Sequence, residues 1–380
     1  MLSFINELKR FDDEKFIKRL QKTSVNDVHR VLAKRVIDLE DMAVLLSEAG
    51  GKCLEEMAQR AHQKRTQHFG KAVVLYTPLY LANHCINGCT YCGYNVHNKI
   101  DRHILSTEEI EKEAQEISKT GLKHILILTG ESAHHTPVSY IVDAVKVLKK
   151  YFESISIEIY PLTEAEYKEV IDAGVDGLTI YQEVYNPQIY DAVHVSGPKK
   201  DYTFRIQAPE RAARQGIRSV NIGALLGLDN WRLEAFKTAW HAHFMHKHYP
   251  ELELAVSMPR IRPCVGGYEV DHPVDDHAFV QIMLALGCLL PSVGITISTR
   301  EEASFRNNLV ALGATKLSAG VSTAVGGHSK DQEASDAQFE ISDTRTVEEM
   351  KVFLKSIGYQ PVFKDWLDMQ DVRMERQAPC

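Results

Sequence analysis

Three of the chain's seven cysteines, Cys85, Cys89 and Cys92, fall within eight residues. They lie in the stretch 78–94, spaced Cys-x3-Cys-x2-Cys, with Asn83, Asn87 and Gly88 among them and Gly93-Tyr94 just after. Three thiolates on one short loop can hold three corners of a cubane iron–sulfur cluster. The fourth iron then has no protein ligand, and an open metal position is where a substrate binds. Asn and Gly keep such a loop polar and adaptable, and Gly93 lets backbone pass close to a bound group. A structural zinc knot is the alternative; it needs four Cys or His donors, with His84 or His97 as the fourth.

Further charged and hydroxyl residues fall where strands are expected to end. They are Glu131, Glu158, Gln182-Glu183, Arg260, Arg262, the run Ser298-Thr299-Arg300-Glu301, and Ser318. Carboxylates suit an ammonium group, and arginine suits a carboxylate bidentately, so a mouth lined with both suits a zwitterion. For any one of them the plain alternative is an ion pair fastening rim to helix.

The elements that must position these residues alternate strand and helix. Short, mostly apolar runs at 72–78, 124–129, 154–160, 177–183, 219–225, 254–258, 294–298 and 316–320 read as strands covered on both faces. Helical stretches near 107–119, 138–152, 164–173, 202–214, 231–248, 275–290 and 302–311 separate them. Eight such units predict an α/β fold, a TIM-type (β/α)8 barrel, closed or partly open, with its chemistry at the carboxyl ends of the strands. Residues 1–70 read as a helical N-terminal extension, with Ser24 and Asp27 as a capping box and glycines breaking successive helices. Residues 71–321 read as the barrel, and 322–380 as a loop and cap over its mouth, with a helix at 347–357 and a strand-like 360–364.

At 380 residues with 44% hydrophobic content the chain can bury a large core. Net charge is −7 with no basic block, which argues against a nucleic-acid partner. No apolar run approaches the length of a membrane span, and the first residues carry no signal-peptide pattern. An odd cysteine count with three thiols clustered predicts a reducing, cytoplasmic setting. Cys53, Cys264 and Cys288 read as structural thiols, the last two in the barrel wall, and Cys380 as terminal. His241, His243, His246 and His248 read as a solvated helix end before Pro250, since none are spaced four apart as helix-borne metal ligands prefer.

The cysteine spacing resembles that of the radical S-adenosylmethionine (SAM) enzymes. Taken with Tyr181-Gln182-Glu183-Val184-Tyr185, the run from Ser257 to Cys264, Ser298-Thr299-Arg300-Glu301 and Lys364-Asp365-Trp366, the whole chain resembles the 2-iminoacetate synthases, tyrosine lyases of thiamine-thiazole biosynthesis. The resemblance implies a [4Fe–4S] cluster on Cys85, Cys89 and Cys92, with SAM on the fourth iron. It implies that a 5′-deoxyadenosyl radical takes hydrogen from the amino group of L-tyrosine. The Cα–Cβ bond then breaks to p-cresol and 2-iminoacetate, making the protein a carbon–carbon lyase. Glu131, in Thr129-Gly130-Glu131 where the superfamily has Gly-Gly-Glu, would take the SAM amino group. Tyr94 would pack near adenine, and Glu158, Glu183 and Arg205 would make further SAM contacts. Arg300 would hold the tyrosine carboxylate, with Ser318 and Tyr80. The implied partners are thiazole synthase and a flavodoxin or ferredoxin electron donor. Three other readings stay open: a lyase for another aromatic amino acid, a hydrogenase-maturation tyrosine lyase, and a non-catalytic iron–sulfur or zinc scaffold. The hydrogenase-maturation type carries a cysteine-rich tail, whereas only Cys380 follows Cys288 here. The sequence does not point to the base that neutralises the tyrosine ammonium.

Overall fold

Nine parallel strands appear in the computed structural model, which describes residues 3–329 and 336–364. They are β1 (Ala72–Ala82), β2 (His124–Thr129), β3 (Ser154–Glu158), β4 (Gly177–Glu183), β5 (Ser219–Ala224), β6 (Glu253–Val256), β7 (Gly294–Ile297), β8 (Lys316–Ser318) and β9 (Gln360–Val362). β1 to β8 pair in sequence order, and β1 pairs with both β8 and β2, so the barrel is closed. β9 pairs with Ala72–Val74 of β1, ahead of the stretch that pairs with β2. The tail therefore joins the sheet rather than lying only over the mouth.

The strands are buried almost throughout, β2 as His124–Leu128 and β7 along its whole length. Covering helices on the outer face explain why these runs are apolar rather than alternating. β1 runs past the expected end at Pro78 because Leu79-Tyr80-Leu81 continues the apolar run, with Leu79, Tyr80 and Ala82 pairing with β2. The single helix expected over 202–214 is two, Tyr202–Ile206 and Ala208–Arg214. Pro209 has no N–H to continue the ladder, so the helix restarts at its first turn. Helix Pro187–Val193, capped by Asn186, was not expected from the sequence.

The N-terminal helices seal the side of the barrel. The Ser24–Asp27 capping box forms, and Gly70 ends helix Leu54–Phe69 at φ 58°. Arg65 of that helix donates to the carbonyls of Gly313 and Val293, in the turns entering β8 and β7. Phe4 stacks on His241 at 4.3 Å, and Tyr185 hydroxyl meets His241 Nδ1 at 2.9 Å. His241 is thus a buried, neutral core residue, its pKa pushed down to about 3 by burial. The expectation of a solvated histidine cluster is corrected at this position; His246 is exposed.

Candidate active site

The cysteine loop leaves β1 at Ala82 and is clamped from three sides. Asn83 bonds Asp101 O and His103 N, each at 2.7 Å. Ile86 N donates to Glu131 O beyond β2, and Gly88 N and Thr90 N donate to Ser196 O and Val193 O. Gly130 is needed for this approach: a Cβ there would lie 2.3 Å from His84 O and 3.1 Å from Cys85 Cβ. Gly130→Ala is therefore expected to push the loop outward and to lower the iron retained after anaerobic reconstitution, read by metal analysis. Wild-type iron content in that variant would show that the contact is dispensable.

Cys89 is buried, while Cys85 and Cys92 are half-buried. Burial pushes the Cys89 thiol up to about 12 and raises Cys92 as well; Lys199 opposes both shifts. Thiols in such surroundings become ligands when a metal supplies positive charge. Amide donors already face the sulfurs: Asn87 Nδ2 lies 3.7 Å from Cys85 Sγ, and Gln338 Nε2 lies 3.7 Å from Cys92 Sγ. The donor set, soft sulfurs with N–H groups aimed at them, fits an iron–sulfur cluster. His84, a possible fourth zinc donor, instead stacks on His135 at 4.0 Å. Among the described residues no three Cys, His, Asp or Glu side chains gather tightly enough for one metal ion.

Beside Cys92 a cavity of about 130 Å3 opens at the carboxyl ends of the strands. Of the charged, hydroxyl and cluster residues singled out from the sequence, Tyr80, Cys92, Glu158, Glu183, Arg262, Ser298, Thr299, Arg300 and Ser318 line it. Glu131, Arg205 and Tyr94 stand outside its lining. Glu131 accepts from Asn87 Nδ2 at 2.7 Å, beside the cysteine loop. Tyr94 is buried edge-on to Tyr80 at 6.0 Å, its hydroxyl donating to Thr323 O at 2.8 Å. Arg205 lies behind Glu183, bonding it at 3.2 Å and Tyr181 O at 2.7 Å.

The cavity's charges differ in how they are matched. Glu183 is the one non-glycine at positive φ among the described residues, at 69°, on the irregularity between Tyr181 and Glu183 in the β4–β5 ladder. Its carboxylate meets Lys199 Nζ at 2.7 Å as well as Arg205. Burial alone would raise its pKa, but these two cations outweigh it and hold Glu183 below the usual carboxylate value. Glu158 has no such partner, and burial with the nearby Glu183 charge pushes it up to about 7. Arg300 forms no ion pair among the described residues. It lies 3.5 Å from the centre of the Phe339 ring and donates to Arg260 O at 3.4 Å. Arg260, by contrast, is spent on Glu301 and Asp276, an ion pair of the rim.

Ser318 Oγ accepts from Thr299 N at 3.1 Å, and Tyr80 hydroxyl donates to Gln338 at 2.8 Å. The loop carrying Gln338 and Phe339 is tied to the strand ends: Ser342 N and Asp343 N donate to Thr299 O, and buried Arg306 joins Asp343 to Ser318 O. The sequence gives no sign of Lys199, Gln338 or Phe339 at the site, and Asn87, expected only to keep the loop polar, also faces Cys85 Sγ and Glu131. Only Asn87, inside the cysteine loop, carried a local signal. Cys264 is not a buried wall thiol as expected; it lies half-buried on the loop after β6, 3.5 Å from Tyr91 O. Cys288 is buried as expected. Asp365, Trp366 and Cys380 lie outside the described residues.

A closed parallel barrel with three thiols on the loop after β1, and a charged cavity beside them, defines a radical SAM enzyme. Residues 79–238 match the Radical SAM superfamily, and 257–360 match the Biotin and Thiamin Synthesis associated domain. Over 367 residues the chain is 36% identical to the 2-iminoacetate synthases of Salmonella typhimurium and Escherichia coli, covering 96% of this chain and 97% of each relative. The chain belongs to the 2-iminoacetate synthase family. It is an enzyme, a lyase, and its cofactors are a [4Fe–4S] cluster and SAM. The crystal structure of HydG, a maturase of the [FeFe]-hydrogenase, superposes with a TM-score of 0.88 at 29% identity, covering 96% of this chain and 82% of that one. No helix among the described residues is long and apolar enough to cross a membrane.

Proposed function

We propose that this lyase cleaves the Cα–Cβ bond of L-tyrosine to p-cresol and 2-iminoacetate, the latter for the thiazole of thiamine. The observation that carries the reading is a set of opposite, internally unmatched charges, Glu158 against Arg300 and Arg262, facing one cavity beside Cys92. A zwitterionic amino acid supplies the partner for each. When bound, the cluster and SAM supply a carbon radical that removes a hydrogen atom from the substrate.

The chain's own residues bind, orient and shield. Cys85, Cys89 and Cys92 hold the cluster, and Glu131 takes the amino group of SAM. Glu183 adds a SAM contact, held in place by Arg205 behind it, and Tyr94 backs the adenine side. Arg300 takes the tyrosine carboxylate, its guanidinium plane set by Phe339, with Ser318 and Tyr80 as hydroxyl partners. Leu126, Leu128, Leu225, Pro259 and Ile261 give the cavity apolar walls that exclude water around a reactive intermediate.

We place the enzyme in the cytoplasm, where its six described cysteines stay free. A flavodoxin or ferredoxin would deliver the electron, and thiazole synthase would receive 2-iminoacetate. A second reading, hydrogenase maturation, is favoured by the likeness to HydG; the closer identity of the 2-iminoacetate synthases over the full alignment weighs against it.

The test is anaerobic turnover of reconstituted protein with dithionite, SAM and L-tyrosine. Both 5′-deoxyadenosine and p-cresol are expected. Deoxyadenosine without p-cresol rejects tyrosine and leaves another aromatic amino acid as substrate. Neither product favours the scaffold reading.

A further inference from the structure

Hydrogen-atom removal from the amino nitrogen requires a neutral amine, yet a free amino acid near neutral pH carries an ammonium. Resting on the tyrosine reading, we propose that Glu158 is the base that takes this proton. Its carboxylate receives a proton from the substrate –NH3+, leaving –NH2 and a neutral Glu158 carboxylic acid; no oxidant or reductant is needed.

The geometry points to Glu158 over the other carboxylates near the cavity. Glu183 is fixed in ion pairs with Lys199 and Arg205. Glu131 accepts from Asn87 and lies outside the cavity lining, and Glu301 is paired to Arg260. Glu158 lines the cavity, and its side chain has no hydrogen bond or ion pair among the described residues, so its carboxylate oxygens are available to a ligand. It ends β3, while Arg300 follows β7; in the closed ring of eight these strands lie opposite one another. A zwitterion between them puts carboxylate toward Arg300 and ammonium toward Glu158. That placement separates Glu158 from the SAM contacts with which the sequence grouped it.

The groups facing Glu158 support the role. Burial and, after it, the Glu183 charge raise its pKa, while Arg300, Arg205 and Lys199 lower it, with a balance at about 7. Tyr76, Tyr80 and Tyr181 also surround it, and burial raises all three, keeping their hydroxyls neutral. A base with a pKa near the working pH is about half ionised, so it can both take and hold a proton. Inside the cavity, transfer from ammonium to carboxylate turns two buried charges into two neutral groups, which low dielectric favours.

The experiment measures p-cresol formation by reconstituted holoenzyme against pH. Because a carboxyl of raised pKa is a base only above that value, wild-type kcat/KM for tyrosine should climb through about 7 and level off. Glu158→Gln should lose on the order of 10²–10⁴-fold at neutral pH. Its residual rate should rise only where the amine itself ionises, at distinctly alkaline pH. SAM affinity should stay at the wild-type value. Separately from turnover, infrared difference spectra should show a protonated-carboxyl band appear on tyrosine binding in wild type and be missing in E158Q. A wild-type pH profile in E158Q overturns the proposal, as does weakened SAM binding with an unchanged profile. Should E158Q not fold, Glu158→Asp is read instead: it should keep the limb at lower rate, and its loss overturns the assignment. Wild type making no p-cresol at any pH would sink the tyrosine reading itself, a different outcome from those above.

Discussion

Replacing Cys92 by alanine should abolish both 5′-deoxyadenosine and p-cresol, to below detection. Cys92 is the one cluster cysteine that also lines the cavity, and it stands within reach of Gln338. Its loss leaves two thiolates, too few to hold three corners of a cubane. The iron–sulfur absorption after reconstitution should fall with the products, while the fold, set by the closed barrel, should persist by circular dichroism. Cys264→Ser is the matched control. That thiol lies near the same loop, 3.5 Å from Tyr91 O, but outside the Cys-x3-Cys-x2-Cys run. It should keep cluster and activity. Full activity in C92A, or loss in C264S with C92A unaffected, would show that the ligand set is wrongly drawn.

Arg300→Ala should separate the two products. The guanidinium faces the cavity without a carboxylate of its own and lies 3.5 Å from the Phe339 ring centre. A charge-assisted bond to the substrate carboxylate contributes about 1.5–3 kcal/mol, and a bidentate pair sits at the upper end. At about 1.4 kcal/mol per decade, kcat/KM for tyrosine should fall on the order of 10²-fold, chiefly through KM. Deoxyadenosine formed without tyrosine should be unchanged, because Arg300 does not belong to the SAM side. Arg300→Lys should recover little, since an ammonium lacks the planar fork. Equal loss of both products in R300A would place Arg300 on SAM instead.

How far these residues were legible follows from the range of the forces that place them. The cysteine loop is written in consecutive residues. Glu158, Glu183, Arg300 and Ser318 are legible because a barrel puts its chemistry at strand ends, and each ends or follows a run of strand-like residues. Lys199 and Gln338 were not. Lys199 sits on the short turn Pro198–Lys200 and reaches Glu183 only through the packing of β4 against the segment after it. Gln338 arrives from the loop beyond β8 to meet Tyr80, a contact 258 residues apart in sequence. His241 misled for the same reason: Phe4, at the far end of the chain, covers it. The split of 202–214 was of another kind, since Pro209 stood in plain view and its missing donor is a local matter.

Iron, acid-labile sulfide and zinc, measured per chain in protein purified and reconstituted without oxygen, probe the three-cysteine centre most directly. About four irons and four sulfides, lost together in Cys92→Ala, are the expected result. Stoichiometric zinc held by four protein donors would contradict it, and tyrosine cleavage by this chain would go with it.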